Sequence, residues 1–372
     1  MKSSKQFCSL PWNGIHIDQN LDVYPCCLAA GPAGILGNLK RNTFNEIVNG
    51  PAMTNMREKF LKGEMPRACK KPCGGKSGDI IDLFTAEERA NVFANNIVSY
   101  QGIRRADLRT SNLCTLGCVY CNSLWSSTIA RREGNVIRIP TAESLRANQQ
   151  SIEQALDLTD VQSLLLAGGE PLIMKENIAL LERVLAHNPN CEVFVNSGLS
   201  VLRGPVFDIL KSMKNVTWMA SVDSTDPRRF EYIRHGNSWT EFVNNFETIA
   251  AIDGHIVSVH SVYFTLSYMT FEQTVKDLTN MGCDHIVVDP VSYDELDLRN
   301  LPNLQDIIRD HLPYLRNNPA LLAGSYEHVL HRLQQPFNGS LERLHSKLAY
   351  FDQTFNMSSR TLFPELYAHT SK

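Results

Sequence analysis

Between residues 103 and 290 of this 372-residue chain, short apolar runs of strand length alternate with longer stretches whose apolar residues recur at helical spacing. The runs over 106–110, 161–167, 191–195, 216–222, 256–265 and 283–290 predict six strands. Helical patterns fill the intervals: from 124 onward, over 141–158, 174–186, 206–213, 227–235 with 240–252, and 271–280. Strands separated by helices in this way imply βα units and a parallel sheet. Such connections are right-handed, so the chain winds a flat sheet or curls into an open barrel. In both cases the functional loops lie beyond the carboxyl ends of the strands.

The flanks read differently. Residues 1–85 show little continuous periodicity. Within them, 14–18 and 21–25 read as two short strands joined by a polar turn, and 43–61 as a helix capped by Asn42 or Thr43. His16 reads as a strand residue satisfied by local hydrogen bonds. A unit this small and loop-rich is expected to build little apolar core, so that a metal centre would supply cohesion. After residue 301, helical patterns over 303–315, 319–333 and 341–351 lead to an aromatic-rich end at 363–367. They read as packing helices more readily than as a cap that holds substrate. The expected organisation is therefore a small amino-terminal module (1–85), an α/β domain (86–300) and a helical extension (301–372).

Composition narrows the class. With 43% hydrophobic and 20% charged residues the chain has an ordinary soluble composition. No apolar run approaches the roughly 18 residues that suggest a membrane span. The opening Met1-Lys2-Ser3-Ser4 lacks the apolar stretch of a secretory signal, which points to a cytoplasmic protein. The formal net charge is −3 and the basic residues are scattered, so the electrostatic footprint of a nucleic-acid binder is missing. The pairs Arg104-Arg105, Arg131-Arg132 and Arg228-Arg229 read as solvated surface charge rather than grips for a phosphate or carboxylate. Gly74-Gly75-Lys76-Ser77 looks like the end of a phosphate loop, but Lys70 stands where its first glycine belongs and no strand precedes it.

The cysteines change the picture most. There are ten, and without an export signal they are metal ligands or reactive thiols before they are a disulfide framework. Cys114, Cys118 and Cys121 fall within eight residues, in a loop that follows the first predicted strand. A four-iron cluster held there has three protein ligands and one open iron. A structural zinc site normally closes with a fourth ligand at short spacing, and Asn122, Ser123, Leu124 and Trp125 offer none. Three unrelated buried thiols are the other reading of the residues alone. Gly168-Gly169-Glu170-Pro171, Asn196-Ser197-Gly198 and Asp223-Ser224 end later strands at the same rim, an arrangement expected of an active site. Cys191 and Cys283 begin strands at the opposite rim and read as packing residues. In the amino-terminal module five further cysteines leave iron and zinc open.

The cysteine loop, the Gly168-Gly169-Glu170-Pro171 loop and the strand order together resemble the radical SAM enzymes over residues 100–290. Cys114, Cys118 and Cys121 match that family's C-x3-C-x2-C signature, and Tyr120 its aromatic before the last cysteine. The resemblance implies a partial (β/α)6 barrel of TIM type within an α/β fold. It further implies S-adenosylmethionine contacts from Tyr120, Gly168, Gly169, Glu170, Pro171, Asn196, Ser197, Ser221, Asp223 and Arg234. The amino-terminal part resembles the auxiliary cluster module called SPASM, or twitch in its shortened form, through Cys8, Pro11, Trp12 and Pro25-Cys26-Cys27. Leu21 departs from it by standing where a glycine is usual. A second departure is the spacing of Cys69 and Cys73, which have three residues between them rather than two.

What the resemblance implies is a 4Fe-4S cluster on Cys114, Cys118 and Cys121 and an auxiliary cluster, again of 4Fe-4S type, on Cys8, Cys26, Cys69 and Cys73. Cys27 is then a spare ligand or a hydrogen donor. The implied reaction is reductive cleavage of S-adenosylmethionine to a 5′-deoxyadenosyl radical, which takes a hydrogen atom from a small-molecule, nucleoside, sugar or peptide substrate. The auxiliary cluster would assist oxidation or bind substrate, and a flavodoxin or ferredoxin would supply electrons. The competing reading is a non-catalytic electron carrier or binding protein stapled by iron-sulfur or zinc. A cofactor loop such as Gly168-Gly169-Glu170-Pro171 has no place in a staple.

Overall fold

The structure, a computed structural model, describes residues 7–29, 31–73 and 81–368, with 71–73 and 317 described by backbone alone. Two units are distinguished: Met1–Leu113, Ile139–Val195 and Gly204–Asn215 make one, and Cys114–Arg138, Asn196–Arg203 and Val216–Lys372 the other.

In the first unit the strands are β1 (Gly14–Ile17), β2 (Asp22–Tyr24), β3 (Gly37–Asn38), β4 (Arg105–Leu108), β5 (Ser163–Leu166) and β6 (Glu192–Ser197), whose last two residues belong to the second unit. β1 and β2 form the expected antiparallel hairpin, with His16 opposite Tyr24. β4, β5 and β6 run parallel, Leu108 beside Leu166 and Leu166 beside Val195. The hairpin does not stand apart from this sheet. β1 lies parallel against β4, Gly14 beside Arg105 and Ile17 beside Leu108.

In the second unit β7 (Val216–Ser221), β8 (Ile256–Tyr263) and β9 (His285–Pro290) are parallel neighbours. All the strands predicted between residues 103 and 290 are therefore present, with helices in the intervals, in an α/β fold with parallel pairing. On one face of β7–β9, Trp218, Ala220, Val257, Val259, Ile286 and Val288 are buried against the helix layer. Phe230, Phe242 and Phe246 complete that core from the helices Pro227–Ile233 and Trp239–Ala250, and each buried ring contributes about 1.5–3 kcal/mol.

Several helix limits differ from expectation for local reasons. The stretch 43–61 is two helices, Phe44–Val48 and Pro51–Leu61, because Pro51 has no N–H to continue the first and starts the second. Thr43, not Asn42, is the cap, in a reciprocal pair with Glu46. The same break before a proline splits 303–315 into Leu304–Asp310 and Pro313–Asn317. The last long helix runs on to Phe355 and stops at Asn356, whose φ of 52° is left-handed.

The amino-terminal segment builds more core than expected. Phe7, Leu10, Trp12, Met53, Met56, Phe60 and Val92 form a buried cluster that includes Cys8 and Cys69 and has Cys26 packed against it. Arg57, fully buried, donates to the carbonyls of Pro11, Val48 and Val98 at 2.8, 2.6 and 2.6 Å and ties three segments together. The Gly74-Gly75-Lys76-Ser77 stretch, the opening Met1-Lys2-Ser3-Ser4 and the Cys73 side chain lie outside the described residues. Among the described residues no helix is long and apolar enough to cross a membrane.

Candidate functional site

The cysteine loop is fixed by its backbone. The amides of Gly117 and Val119 donate to the carbonyls of His235 and Ile233 at 2.8 and 3.0 Å. Ser126 Oγ donates to the Leu116 carbonyl at 2.7 Å, and Thr128 Oγ1 to that of Cys114 at 2.7 Å, so the start of the helix Ser127–Arg132 closes over the loop. Behind Gly117 lies the guanidinium of Arg132, whose Nη2 would stand 2.5 Å from any Cβ there. A side chain at that position would displace the end of Arg132.

Tyr120, Asp223 and Arg234 meet in one buried knot. Asp223 is fully buried and accepts from Tyr120 Oη at 2.6 Å, Arg234 Nε at 2.9 Å and the Val262 amide at 2.8 Å. The Arg234 guanidinium lies over the Tyr120 ring, 4.9 Å from its centroid, and its charge acts on the Cys118 thiol. Burial opposes the charge on Arg234, but Asp223 outweighs it and holds the guanidinium firmly protonated. Burial pushes the Cys118 thiol up, and Arg234 opposes that rise. Cys121 is pushed up to about 12 by burial and then by the nearby Cys118 sulfur. Ser221 donates to Asn196 Oδ1 at 3.1 Å, so the ends of β6 and β7 are joined through two of the predicted residues.

The Gly168-Gly169-Glu170-Pro171 loop is formed as a close crossing over the end of β4. The Glu170 amide donates to the Leu113 carbonyl at 2.7 Å. A Cβ on Gly169 would stand 2.1 Å from that same oxygen, and Gly168 has a φ of +118° with the Ser111 carbonyl 2.7 Å from its Cβ position. No other residue fits at either position without moving the backbone. Glu170 is buried, and Oε1 accepts from the Leu172 amide at 3.4 Å.

In the amino-terminal segment the structure gathers Cys8, Cys26 and Cys69 at one apolar cluster and sends Cys27 elsewhere. Cys27 faces Asp107 and Arg109 of the β4 end, where burial and then Asp107 push its thiol up to about 12. Asp107 is itself bound by Arg109 Nε at 3.1 Å and Nη2 at 3.2 Å, and His16 Nδ1 lies 3.2 Å from its Oδ1. Burial would raise the Asp107 carboxyl, but His16 and Arg109 prevail and hold it below the usual range. His16 is thus tied to a residue 91 positions away rather than locally, and its buried Nε2 has no hydrogen-bond partner among the described residues.

Sequence reasoning missed other groups. Arg104 pairs with Glu88, Arg229 grips Glu365 at 2.9 and 3.2 Å, and Arg132 lies over Phe355, so one member of each arginine pair is an internal anchor rather than solvated charge. The pairing partners are 16, 136 and 223 residues distant, beyond any local pattern. His260, Asp289 and His328 also come together, from strand and helix residues that no motif marks.

Among the described residues no three Cys, His, Asp or Glu side chains converge as ligands of one metal ion. Cysteines of an iron-sulfur cluster bind separate irons and need no such convergence. The donor set fits: three thiols on a loop pinned by main-chain bonds, with the Leu116 amide 3.4 Å from Cys114 Sγ and Arg234 on Cys118, both of which favour thiolate charge.

Residues 108–278 match the radical SAM superfamily, and residues 8–74 match SPASM, an iron-sulfur cluster-binding domain. Among solved structures, Streptococcus suis SuiB bound to precursor peptide SuiA is 16% identical, covers 73% of this chain and 61% of its own, and has a TM-score of 0.41. The protein anSMEcpe with bound AdoMet is 14% identical over 58% of each chain, with a TM-score of 0.41. A radical SAM methyltransferase from Sphaerobacter thermophilus is 14% identical over 61% of this chain and 62% of its own, with a TM-score of 0.34. The match thus spans 61% of the length of SuiB. No curated protein matches the chain.

Proposed function

The chain belongs to the radical SAM superfamily and carries a SPASM iron-sulfur domain, and from that membership we propose that it cleaves S-adenosylmethionine reductively to oxidise or rearrange a small-molecule, sugar, nucleoside or peptide substrate. The observation that carries the reading is the buried knot in which Asp223 accepts from Tyr120 of the cysteine loop and from Arg234, whose guanidinium lies over the Tyr120 ring. It couples the cysteine loop to the buried polar residues that the family resemblance assigns to the cofactor.

Cys114, Cys118 and Cys121 would hold a 4Fe-4S cluster that works together with S-adenosylmethionine. When bound, the two together supply one-electron cleavage of the sulfonium and a 5′-deoxyadenosyl radical that abstracts hydrogen. The protein's own part is to bind, orient and exclude water. Tyr120 is held edge-on to Phe264, 5.3 Å between centroids, and by Asp223, which fixes the loop beside the last cysteine. Gly168 and Gly169 let main chain rather than side chain line the amino-group subsite beside Glu170. Asn196, Ser197, Ser221 and Asp223 supply polar contacts for carboxylate and ribose. Residues 1–85 form the auxiliary module, with a 4Fe-4S cluster on Cys8, Cys26, Cys69 and Cys73, and a flavodoxin or ferredoxin is the electron donor. Cys27 stands outside that set as a thiol beside Asp107, available as a hydrogen donor.

Anaerobic iron and sulfide analysis with a dithionite-driven assay for 5′-deoxyadenosine tests this. The expected result is about eight irons per chain, two four-iron clusters, with cleavage of S-adenosylmethionine. Zinc in place of iron, without cleavage, would return the chain to the class of stapled binding proteins.

A further inference from the structure

In the first unit Arg89, Arg104 and Arg109 each meet a carboxylate, that of Asp82, Glu88 and Asp107 respectively. Arg57 is more deeply buried than any of them and meets no carboxylate among the described residues. Its guanidinium is given over to the three main-chain carbonyls of Pro11, Val48 and Val98 and lies 5.6 Å from the centroid of the Tyr100 ring. Burial lowers its pKa to about 10, which leaves it cationic at neutral pH. The carbonyls satisfy its N–H groups but carry no net charge, and a buried charge without a counter-charge is costly.

The core around Arg57 is the one that holds the amino-terminal cysteines. Its helix, Pro51–Leu61, also carries Met53, Met56 and Phe60, and all three lie in the buried cluster that contains Cys8 and Cys69 and has Cys26 packed against it. Arg57 Nε reaches the carbonyl of Pro11, three residues from Cys8, and three residues of chain span at most about 11 Å. Leu10 and Trp12, on either side of Pro11, belong to the same core. As thiols these cysteines are neutral. As ligands of an iron-sulfur cluster they are thiolates, the whole is anionic, and one-electron reduction adds a further negative charge. In buried, apolar surroundings the attraction between that charge and a guanidinium at this range is weakly screened.

We infer that Arg57 is the buried counter-charge of the auxiliary cluster and raises its reduction potential, because the reduced state carries the additional negative charge. The inference rests on the reading that Cys8, Cys26, Cys69 and Cys73 hold a cluster, and goes beyond it by naming a residue that is no ligand yet controls how readily the cluster takes an electron. Net charge is one of the levers by which a protein tunes such clusters. Arg57 acts through its field on the cysteine-bound group and not by touching substrate. A raised potential suits a cluster that assists oxidation by taking one electron from a substrate radical.

The test uses the full chain with Cys114→Ala, Cys118→Ala and Cys121→Ala, so that only the auxiliary cluster remains. This parent is reconstituted anaerobically and titrated with dithionite in the presence of redox mediators, while the electron paramagnetic resonance signal of the reduced cluster is followed. Arg57→Gln, neutral but still a hydrogen-bond donor, is expected to move the midpoint negative by about 59 mV or more, a tenfold loss of reduced cluster at a fixed potential. Arg57→Lys, which keeps the charge, is expected to hold the parental midpoint. A purely structural tie predicts instead that both variants lower the unfolding temperature and neither moves the potential. An unmoved midpoint in Arg57→Gln, or equal shifts in both variants, overturns the inference. If Arg57→Gln retains no iron, Arg57→Lys decides: about four irons at the parental midpoint supports the inference, and a shifted midpoint or an iron-free chain overturns it. The parent tests the underlying reading separately. About four irons in it with a potential indifferent to Arg57 rejects this inference alone, whereas zinc or no metal in the parent rejects the auxiliary cluster and the inference with it.

Discussion

The imidazole of His235 lies flat on the ring of Phe355, with centroids 3.8 Å apart and planes within 9°. Arg132 covers the same phenyl ring at 5.2 Å and reaches within 3.4 Å of His235 Nδ1. His235 also accepts the Gly117 amide through its carbonyl, so a residue at the end of the helix Leu341–Phe355 supports the loop that presents the cysteines. The carboxyl-terminal helix thus packs against the residues that hold the cysteine loop. Burial and the neighbouring Arg132 both lower the His235 pKa, which keeps the stack between one cation and neutral rings.

Removing that support has a measurable cost. Phe355→Ala deletes a buried ring shared by His235, Arg132, Tyr232 and Phe351, and is expected to destabilise the chain by about 3–5 kcal/mol. Chemical denaturation measures the loss. Iron retained per chain after gel filtration should fall with it, while Phe355→Leu should keep most of both.

Arg234→Met and Asp223→Asn separate charge from packing in the knot beside Cys118. Arg234→Met leaves a buried carboxylate with only Tyr120 and an amide to hold it, at a cost of about 3–5 kcal/mol. The double variant Arg234→Met with Asp223→Asn should recover much of that loss. A double-mutant cycle on unfolding free energy checks this, and additivity of the two single effects would exclude direct coupling.

The two adjacent cysteines of the amino-terminal segment should behave differently. Cys26 packs against the cluster that holds Cys8 and Cys69, whereas Cys27 faces Asp107 and Arg109. Cys26→Ala is expected to lower bound iron from about eight to about four per chain, and Cys27→Ala to leave it unchanged. If Cys27→Ala also leaves substrate turnover intact, the hydrogen-donor role falls.

Much of the fold is legible in the sequence because strand and helix periods are local. The runs 216–222 and 256–265 appear as β7 and β8 shortened by one or two residues, since the ladder of main-chain hydrogen bonds ends before the apolar pattern does. What is not legible depends on distant partners. Nothing near Gly14–Ile17 announces a parallel pairing with residues 105–108, and a four-residue strand carries too little pattern to choose a partner. The row His260, Asp289 and His328 is hidden for the same reason: its members share a face only once register is set. The cysteine loop and Gly168-Gly169 are visible because their chemistry is compressed into a few adjacent residues.

Leu21, the residue that stands where a glycine is usual, adopts a φ of 65° with its side chain fully buried. The left-handed conformation costs an L-residue about 1–2 kcal/mol, which Leu21→Gly would relieve. Removing the buried side chain costs about 2–5 kcal/mol, so burial outweighs strain and the substitution is expected to destabilise. Thermal unfolding of the variant decides the sign. A stabilised Leu21→Gly chain would mean that the side chain contributes little at that position.

The last prediction concerns acid. Glu88 is held by Arg104 and by the amide of Thr85 at 2.8 Å, and Arg104 also donates to the Leu83 carbonyl at 2.8 Å. The hydrogen bond from Arg104, followed by that from Thr85, lowers the Glu88 pKa to about 2. A carboxyl depressed in the folded state contributes stability that is present above its ordinary value, near 4.5, and is lost as the pH falls through about 2. The side chain is 38% exposed, so solvent screening limits the contribution to about 1 kcal/mol. Glu88→Gln should therefore lower the unfolding temperature at neutral pH, and the gap from the unaltered chain should narrow steadily as acid is added below pH 4.5. A gap that stays constant across that range would show that the carboxylate's charge contributes nothing and that the side chain acts only through its neutral hydrogen bonds.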